Sequence, residues 1–236
     1  MTTALVLLPG MDGTGDLFGP LVRELPADLR PVIVRYPVDR WLDDEALLAF
    51  VRAALPREQP FVLLGESFSG PVALRIAAEK PVGLRAVAMC ASFARYPNRM
   101  LAPFKGVAAW LPMHSMPMTV MSALLLGRFA TPALQAALRA SLARVAPAVL
   151  AKRGSQVLAF DALDAVSQIR VPLLCLRATR DRVVSAGATR EIERRSGDCR
   201  VIDIEAPHML LQCSPKEAAA AIAQLALEQR GRGASN

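Results

Sequence analysis

Short apolar runs and helical patterns alternate along most of this chain, and that alternation restricts the fold more than any other feature. The runs TALVLLPG, LRPVIVRYP, FVLLGES, LRAVAMCAS, PLLCLRAT and CRVIDIEA each read as a strand. Several are apolar without interruption, as strands buried on both faces must be. Helical spacing falls between them: through Leu17, Leu21, Val22 and Leu25, then through Leu47, Leu48, Val51 and Leu55 behind a cap at Asp43-Asp44. Further helices are expected over about 69–79, 186–195 and 215–229. Parallel strands need crossovers, and helices supply them, so the expected fold is α/β. It has a mostly parallel six-stranded sheet with helices on both faces.

One stretch breaks the alternation. From Arg95 to Ile169 no strand pattern is convincing, and the clearest part, ATPALQAALRASLARVAPAVL, is helical. A gap this long exceeds an ordinary connection. It reads as a helical insertion, residues 95–169, above the carboxyl edge of a core formed by 1–94 and 170–236. Ligands bind at that edge in open α/β folds.

Composition excludes other classes. With 53% apolar and 21% charged residues the chain is not a disordered one. No apolar run reaches the roughly 18 residues of a membrane-spanning helix. The run Ala4 to Leu8 has no basic residue before it and ends at Pro9-Gly10, so no secretory signal is expected and the expected location is cytoplasmic. Cys90, Cys175, Cys199 and Cys213 form no CxxC pair, and no His stands at zinc-finger spacing, so no structural metal site is expected. The Gly-rich loop LLPGMDGTG has neither a GK[ST] ending nor GxGxxG, so a phosphate-binding loop is not expected either, and no cofactor is. Cys90 and Cys175 fall in strand-like runs and read as buried thiols.

The net charge of +7 is unevenly placed. Between Lys80 and Phe160 there is no Asp or Glu, while ten of the 28 basic residues fall there; the remaining 18 face 21 acidic residues elsewhere. Such a segment either docks an anionic carrier, lipid surface or substrate carboxylate, or is a solvated Arg-rich face. Nucleic acid is not an expected partner.

The sharpest local feature is Gly65-Glu66-Ser67-Phe68-Ser69, followed by Gly70, at a strand-to-helix junction. A nucleophile elbow needs small residues two before and two after the nucleophile, so that the strained turn can pack. Gly65 meets the first need. Ser69 stands where the regular pattern has Gly, and it is small enough to meet the second. Ser67 is then the nucleophile; the competing reading makes it a helix cap. A nucleophilic Ser needs a base. His208, after the sixth strand, is the candidate; His114, the other His, is structural or faces substrate. Asp181, just past the fifth strand, is the candidate carboxylate for His208, against an ordinary turn Asp between Arg180 and Arg182. Donors for a developing oxyanion are expected from the backbone N–H groups of Phe68 and of Met11, in the loop LLPGMDGTG.

With LLPGMDGTG, GESFSG, Asp181 and His208 in this order, the sequence resembles the α/β-hydrolase superfamily over nearly its whole length. LLPGMDGTG is similar to small esterase- and acyltransferase-like members. The resemblance implies a chain that begins at the family's third strand, with the first two missing, and a cap at 95–169. It implies a serine esterase or thioesterase acting through an acyl-enzyme on Ser67. An acyltransferase using the same intermediate and a non-catalytic binding module are the alternatives. The cap carries Trp110, Met113, Met116 and Met121, and these with Arg95 are the candidate contacts to an apolar acyl substrate; the competing reading is that they pack the cap on the sheet.

Overall fold

The computed structural model describes residues 2–96 and 116–233. Six strands form one sheet: β1 (Thr3–Leu8), β2 (Leu29–Ile33), β3 (Phe61–Glu66), β4 (Leu84–Cys90), β5 (Leu173–Ala178) and β6 (Cys199–Ile204). Their order is β2-β1-β3-β4-β5-β6 and every pairing is parallel. The expectation of a parallel six-stranded α/β sheet is met. β1 and β3 are buried at every residue, which is why both read as unbroken apolar runs. β2 is an edge strand and carries Pro31, whose missing N–H is tolerated there.

Helices cover both faces. On one side α2 (Asp44–Ala54) and α3 (Gly70–Ala78) bury Leu47, Val51, Val72 and Ile76 against Val6, Leu63 and Val87. Asp43 starts α2 as expected, its side chain accepting a hydrogen bond from the Ala46 N–H at 2.9 Å. On the other side α1 (Gly19–Glu24) and the long C-terminal helix (Pro215–Gly233) pack Leu21, Ile222 and Leu225 on Leu5, Leu7 and Leu64.

Between β4 and β5 the described residues are helical: α4 (Met118–Leu125), α5 (Pro132–Ala143), α6 (Pro147–Ala159) and α7 (Leu163–Val166). The run that reads as one helical pattern is split between α5 and α6. Pro147 begins α6, and Ala146 before it is pushed to an extended ψ of 133°. After β5 come α8 (Ala186–Arg195), α9 (Leu210–Cys213) and α10, the C-terminal helix. From β1 the chain steps outward to β2, then returns past β1 to β3. The crevice between the carboxyl ends of β1 and β3 is therefore a switch point where open α/β sheets bind ligands.

Candidate active site

β3 delivers Ser67 to that crevice. Ser67 has φ +48°, a left-handed conformation that costs a non-glycine residue about 1–3 kcal/mol. The surroundings hold it there. A Cβ on Gly65 would lie 2.6 Å from the Ser69 carbonyl oxygen and 2.9 Å from Ala73 Cβ, so only Gly fits below the turn. A Cβ on Gly70 would lie 2.6 Å from Met89 Cε and 2.7 Å from Ser92 Cβ, so Gly70 lets α3 approach β4. Ser92 Oγ donates to the Ser67 carbonyl. The cap reading of Ser67 fails on geometry: neither the 3-10 turn Ser67–Ser69 nor α3 has a side-chain cap bond.

Ser67 Oγ lies 2.8 Å from His208 Nε2, and His208 Nδ1 lies 2.8 Å from Asp181 Oδ2. Both the His208 and Asp181 side chains are buried. Asp181 Oδ1 accepts from the Val183 and Val184 N–H groups at 2.7 and 2.9 Å, so both its oxygens are directed. With Nδ1–H donating to Asp181, the His208 Nε2 is left as an acceptor facing the Ser67 hydroxyl. The three residues come from the ends of β3, β5 and β6, in chain order Ser, Asp, His.

Met11 and Phe68 line the cavity beside Ser67. Phe68 is second in its 3-10 turn, where helical geometry leaves the N–H without an intrahelical acceptor. The Gly10 carbonyl accepts from the Gly13 N–H at 3.0 Å, closing a tight turn over Met11-Asp12. A trans peptide points its N–H opposite to its C=O. The Met11 N–H therefore points away from that turn.

Residues that the sequence reading missed surround this loop. Asp12 is buried and its Oδ2 accepts from the Thr14 N–H at 3.0 Å and from Ser141 Oγ of α5 at 2.8 Å. Glu66, the residue before Ser67, is buried; Gln212 Nε2 donates to it at 2.9 Å and the Gly10 N–H also donates to it. Burial pushes the Glu66 carboxyl up from an ordinary 4.5 to about 7, against the pull of these donors. Ser69 has a task beyond being small: its hydroxyl donates to the Pro9 carbonyl, and Tyr36 Oη lies 2.8 Å from Ser69 Oγ. Burial also pushes the Tyr36 phenol up, so it stays neutral.

The cavity over Ser67 measures about 220 Å³ and is mostly apolar, with Leu17, Phe93, Leu125, Leu138, Leu142 and Val184 in its wall. Met116 and Met121 line it as well. Trp110, Met113 and His114 lie outside the described residues. Arg95 is a correction. It was expected to contact substrate, but it is not in the cavity wall; its guanidinium pairs with Glu191 and lies 3.7 Å from Asp161. Two further basic residues of the segment meet acids distant in sequence. Arg128 pairs with Glu205, Arg144 with Asp16, and Lys152 sits 5.5 Å from the Trp41 ring centre. Along the chain these cations are segregated from the acids, while in space Arg95, Arg128 and Arg144 lie against them. Among the described residues no cluster of three or more His, Cys, Asp or Glu could hold a metal ion, and no helix is long and apolar enough to cross a membrane.

Known proteins agree with this frame. The family of hydrolases described as serine aminopeptidase S33 matches residues 36–212. The fold is shared with an esterase from Exiguobacterium antarcticum, at 13% identity and a TM-score of 0.81, over 94% of this chain and 91% of that one. It is shared with an enol-lactonase from Burkholderia xenovorans LB400, at 18% identity and 0.77, over 98% and 92%. A bromoperoxidase from Bacillus anthracis matches at 14% identity and 0.79, over 95% and 92%. No curated protein sequence matches. The chain belongs to the serine aminopeptidase S33 family and has the α/β-hydrolase fold.

Proposed function

We propose that this S33-family hydrolase cleaves a carboxylic ester or thioester with an apolar acyl group, through an acyl-enzyme on Ser67. The observation that carries the reading is the relay Ser67 Oγ to His208 Nε2 to Asp181, with both contacts at 2.8 Å, opening on an apolar cavity. In the first half-reaction Ser67 Oγ attacks the carbonyl carbon while His208 Nε2 takes its proton. The carbonyl oxygen becomes an oxyanion facing the Met11 and Phe68 N–H groups. The intermediate collapses; the alcohol or thiol leaves with the proton from His208, and the acyl group stays on Ser67. Water then attacks the acyl carbon, His208 takes one proton from it, and Ser67 departs with that proton, releasing a carboxylic acid. Asp181 holds the imidazole in one tautomer and supports its transient charge.

The family's description names an aminopeptidase, which must recognise a substrate ammonium. Here the two carboxyl groups in the cavity wall, Asp12 and Glu66, are already bonded to Thr14 and Ser141 and to Gln212 and Gly10. That favours an acyl substrate over a peptide amine. Residues 95–169 are proposed as the cap that shapes this cavity.

The test is a series of p-nitrophenyl esters of increasing acyl length, with a fluorophosphonate probe alongside. The wild type should turn over the esters and be labelled, and Ser67→Ala should do neither. No labelling of wild type rejects the assignment and leaves a binding module; labelling of Ser67→Ala rejects Ser67 as the nucleophile. Acyl transfer to an added alcohol at the expense of hydrolysis would make the chain an acyltransferase using the same intermediate.

A further inference from the structure

We propose that Arg153, on α6, is a positioning residue for the loop that holds the oxyanion, so that α6 is built into the catalytic machinery. The proposal rests on the hydrolase reading above. Arg153 is only 4% exposed, in spite of its charge. Its Nη1 donates to the carbonyls of Met11 at 3.0 Å and Asp12 at 2.8 Å, and its Nη2 donates to the carbonyl of Pro37 at 2.8 Å. Its guanidinium carbon lies 5.7 Å from the Tyr36 ring centre. Burial pulls its pKa down and the Asp12 carboxylate nearby pulls it up.

Burying a guanidinium is costly, and one bonded chiefly to neutral carbonyls recovers less than one paired with a carboxylate. A residue kept in such a place needs a reason, and the loop gives one. Arg153 fixes the two peptide planes that follow Met11. The turn from the Gly10 carbonyl to the Gly13 N–H fixes the plane before it. Together they leave the Met11 N–H one direction.

Gly13 supports the same reading from the opposite side. It sits at φ +71°, and a Cβ there would lie 2.8 Å from the Arg153 Cζ and 2.9 Å from its Nη2. The first glycine in MDGTG is thus the socket for an arginine 140 residues downstream. A second tie runs from α5, where Ser141 Oγ bonds Asp12 and Thr14. A cap that swings as a free lid would break these bonds at each opening. The stretch over α5 and α6 is therefore a fixed wall.

The experiment compares Arg153→Met and Arg153→Lys with wild type. Arg153→Met should lower kcat for a p-nitrophenyl ester about 100-fold, the scale of losing one oxyanion donor, with KM within about threefold. Affinity for an alkyl boronic acid, whose adduct on Ser67 is tetrahedral and anionic, should fall in parallel with kcat. Affinity for the carboxylic acid product should not. Arg153→Lys should recover part of the loss, since an ammonium can reach some of the three carbonyls. Amide hydrogen exchange over residues 9–15 should speed up in Arg153→Met, a readout that needs no substrate. Unchanged exchange in that loop, or kcat and boronate affinity within about threefold of wild type, overturns the proposal. If Arg153→Met does not fold, Arg153→Gln, which is too short to span the three carbonyls, decides by the same three readouts. Failure of the hydrolase reading looks different: wild type itself would then not be labelled by fluorophosphonate, while the exchange result would still judge the clamp.

Discussion

Replacing Glu66 by Gln should alter how stability depends on pH, and the size of the effect follows from where Glu66 sits. The carboxyl is buried between the Gln212 amide and the Gly10 N–H, next to Asp12, and it titrates near 7 in the folded chain instead of near 4.5. Between these values the folded chain keeps a proton that the unfolded chain has released. Stability therefore falls as pH rises from about 4.5 to about 7, and the contribution is constant above that. The difference between the two values corresponds to on the order of 3 kcal/mol. Glu66→Gln carries no titrating group, so relative to wild type the variant should gain that amount between pH 4.5 and pH 8. Titrating groups that do not interact with Glu66 are common to both proteins and cancel. Asp12 and His208 do interact with it, so the double variants Glu66→Gln/Asp12→Asn and Glu66→Gln/His208→Gln are compared with Asp12→Asn and His208→Gln as controls. Urea unfolding followed by circular dichroism at several pH values measures it. In a domain of this size it is a shift of roughly 6–12 °C in Tm. A stability difference that stays flat from pH 4.5 to pH 8 would show that Glu66 ionises in the fold as it does in water, and would refute the reasoning.

Four further outcomes are expected. Asp181→Asn should keep the fold and lower kcat by about 10⁴, read by ester hydrolysis, because the wrong imidazole tautomer then faces Ser67. Gly70→Ala should cost about 2–3 kcal/mol in urea unfolding through overpacking against Met89 and Ser92, and Ser92→Gly in the same chain should restore part of it. Leu138→Trp should fill cavity volume and move the preferred p-nitrophenyl ester to a shorter acyl chain, with the shortest esters unaffected. Ser69→Gly, which restores the regular elbow pattern, should lower kcat rather than raise it, because the Ser69 hydroxyl that ties Pro9 to Tyr36 is lost.

The parts of the fold that sequence disclosed are those governed by local periodicity. Strands buried on both faces must be apolar throughout, so β1 and β3 were legible, and the order Ser67, Asp181, His208 put three candidate groups on one edge. What stayed illegible depends on contacts between distant residues. Nothing near Arg153 in sequence marks it as buried, and nothing near Gly13 says that a guanidinium fills the space beside it. Arg95 misled for the same reason. Counting charge along 80–160 made it part of a basic face, while its partner Glu191 lies on α8, almost a hundred residues away. Glu66 occupies the variable position of its motif, where a pattern says nothing about residue type, and only the packing of Gly10 and Gln212 around it gives it a role.

Ser69 joins these two kinds of information. Its size was readable from the turn, since a bulkier residue would not sit over Gly65. Its hydroxyl was not, because Pro9 and Tyr36 come from the loops after β1 and β2 and meet Ser69 only once the sheet has formed. In the regular pattern glycine at this position supplies room and nothing else. Here the room is supplied by Gly65 below and Gly70 beside, so the position is released to bind the loop instead. The departure from the pattern therefore marks a division of labour. Two glycines let the elbow pack, and a serine between them fixes the elbow to the loop that carries the Met11 N–H. Arg153 grips that same loop from the opposite side, at the carbonyls of Met11 and Asp12. A loop held at Pro9 by one side chain and at residues 11 and 12 by another has little freedom left. Preorganisation of this kind is what an oxyanion donor requires, since a donor that must reorient during the reaction gives up much of its electrostatic advantage.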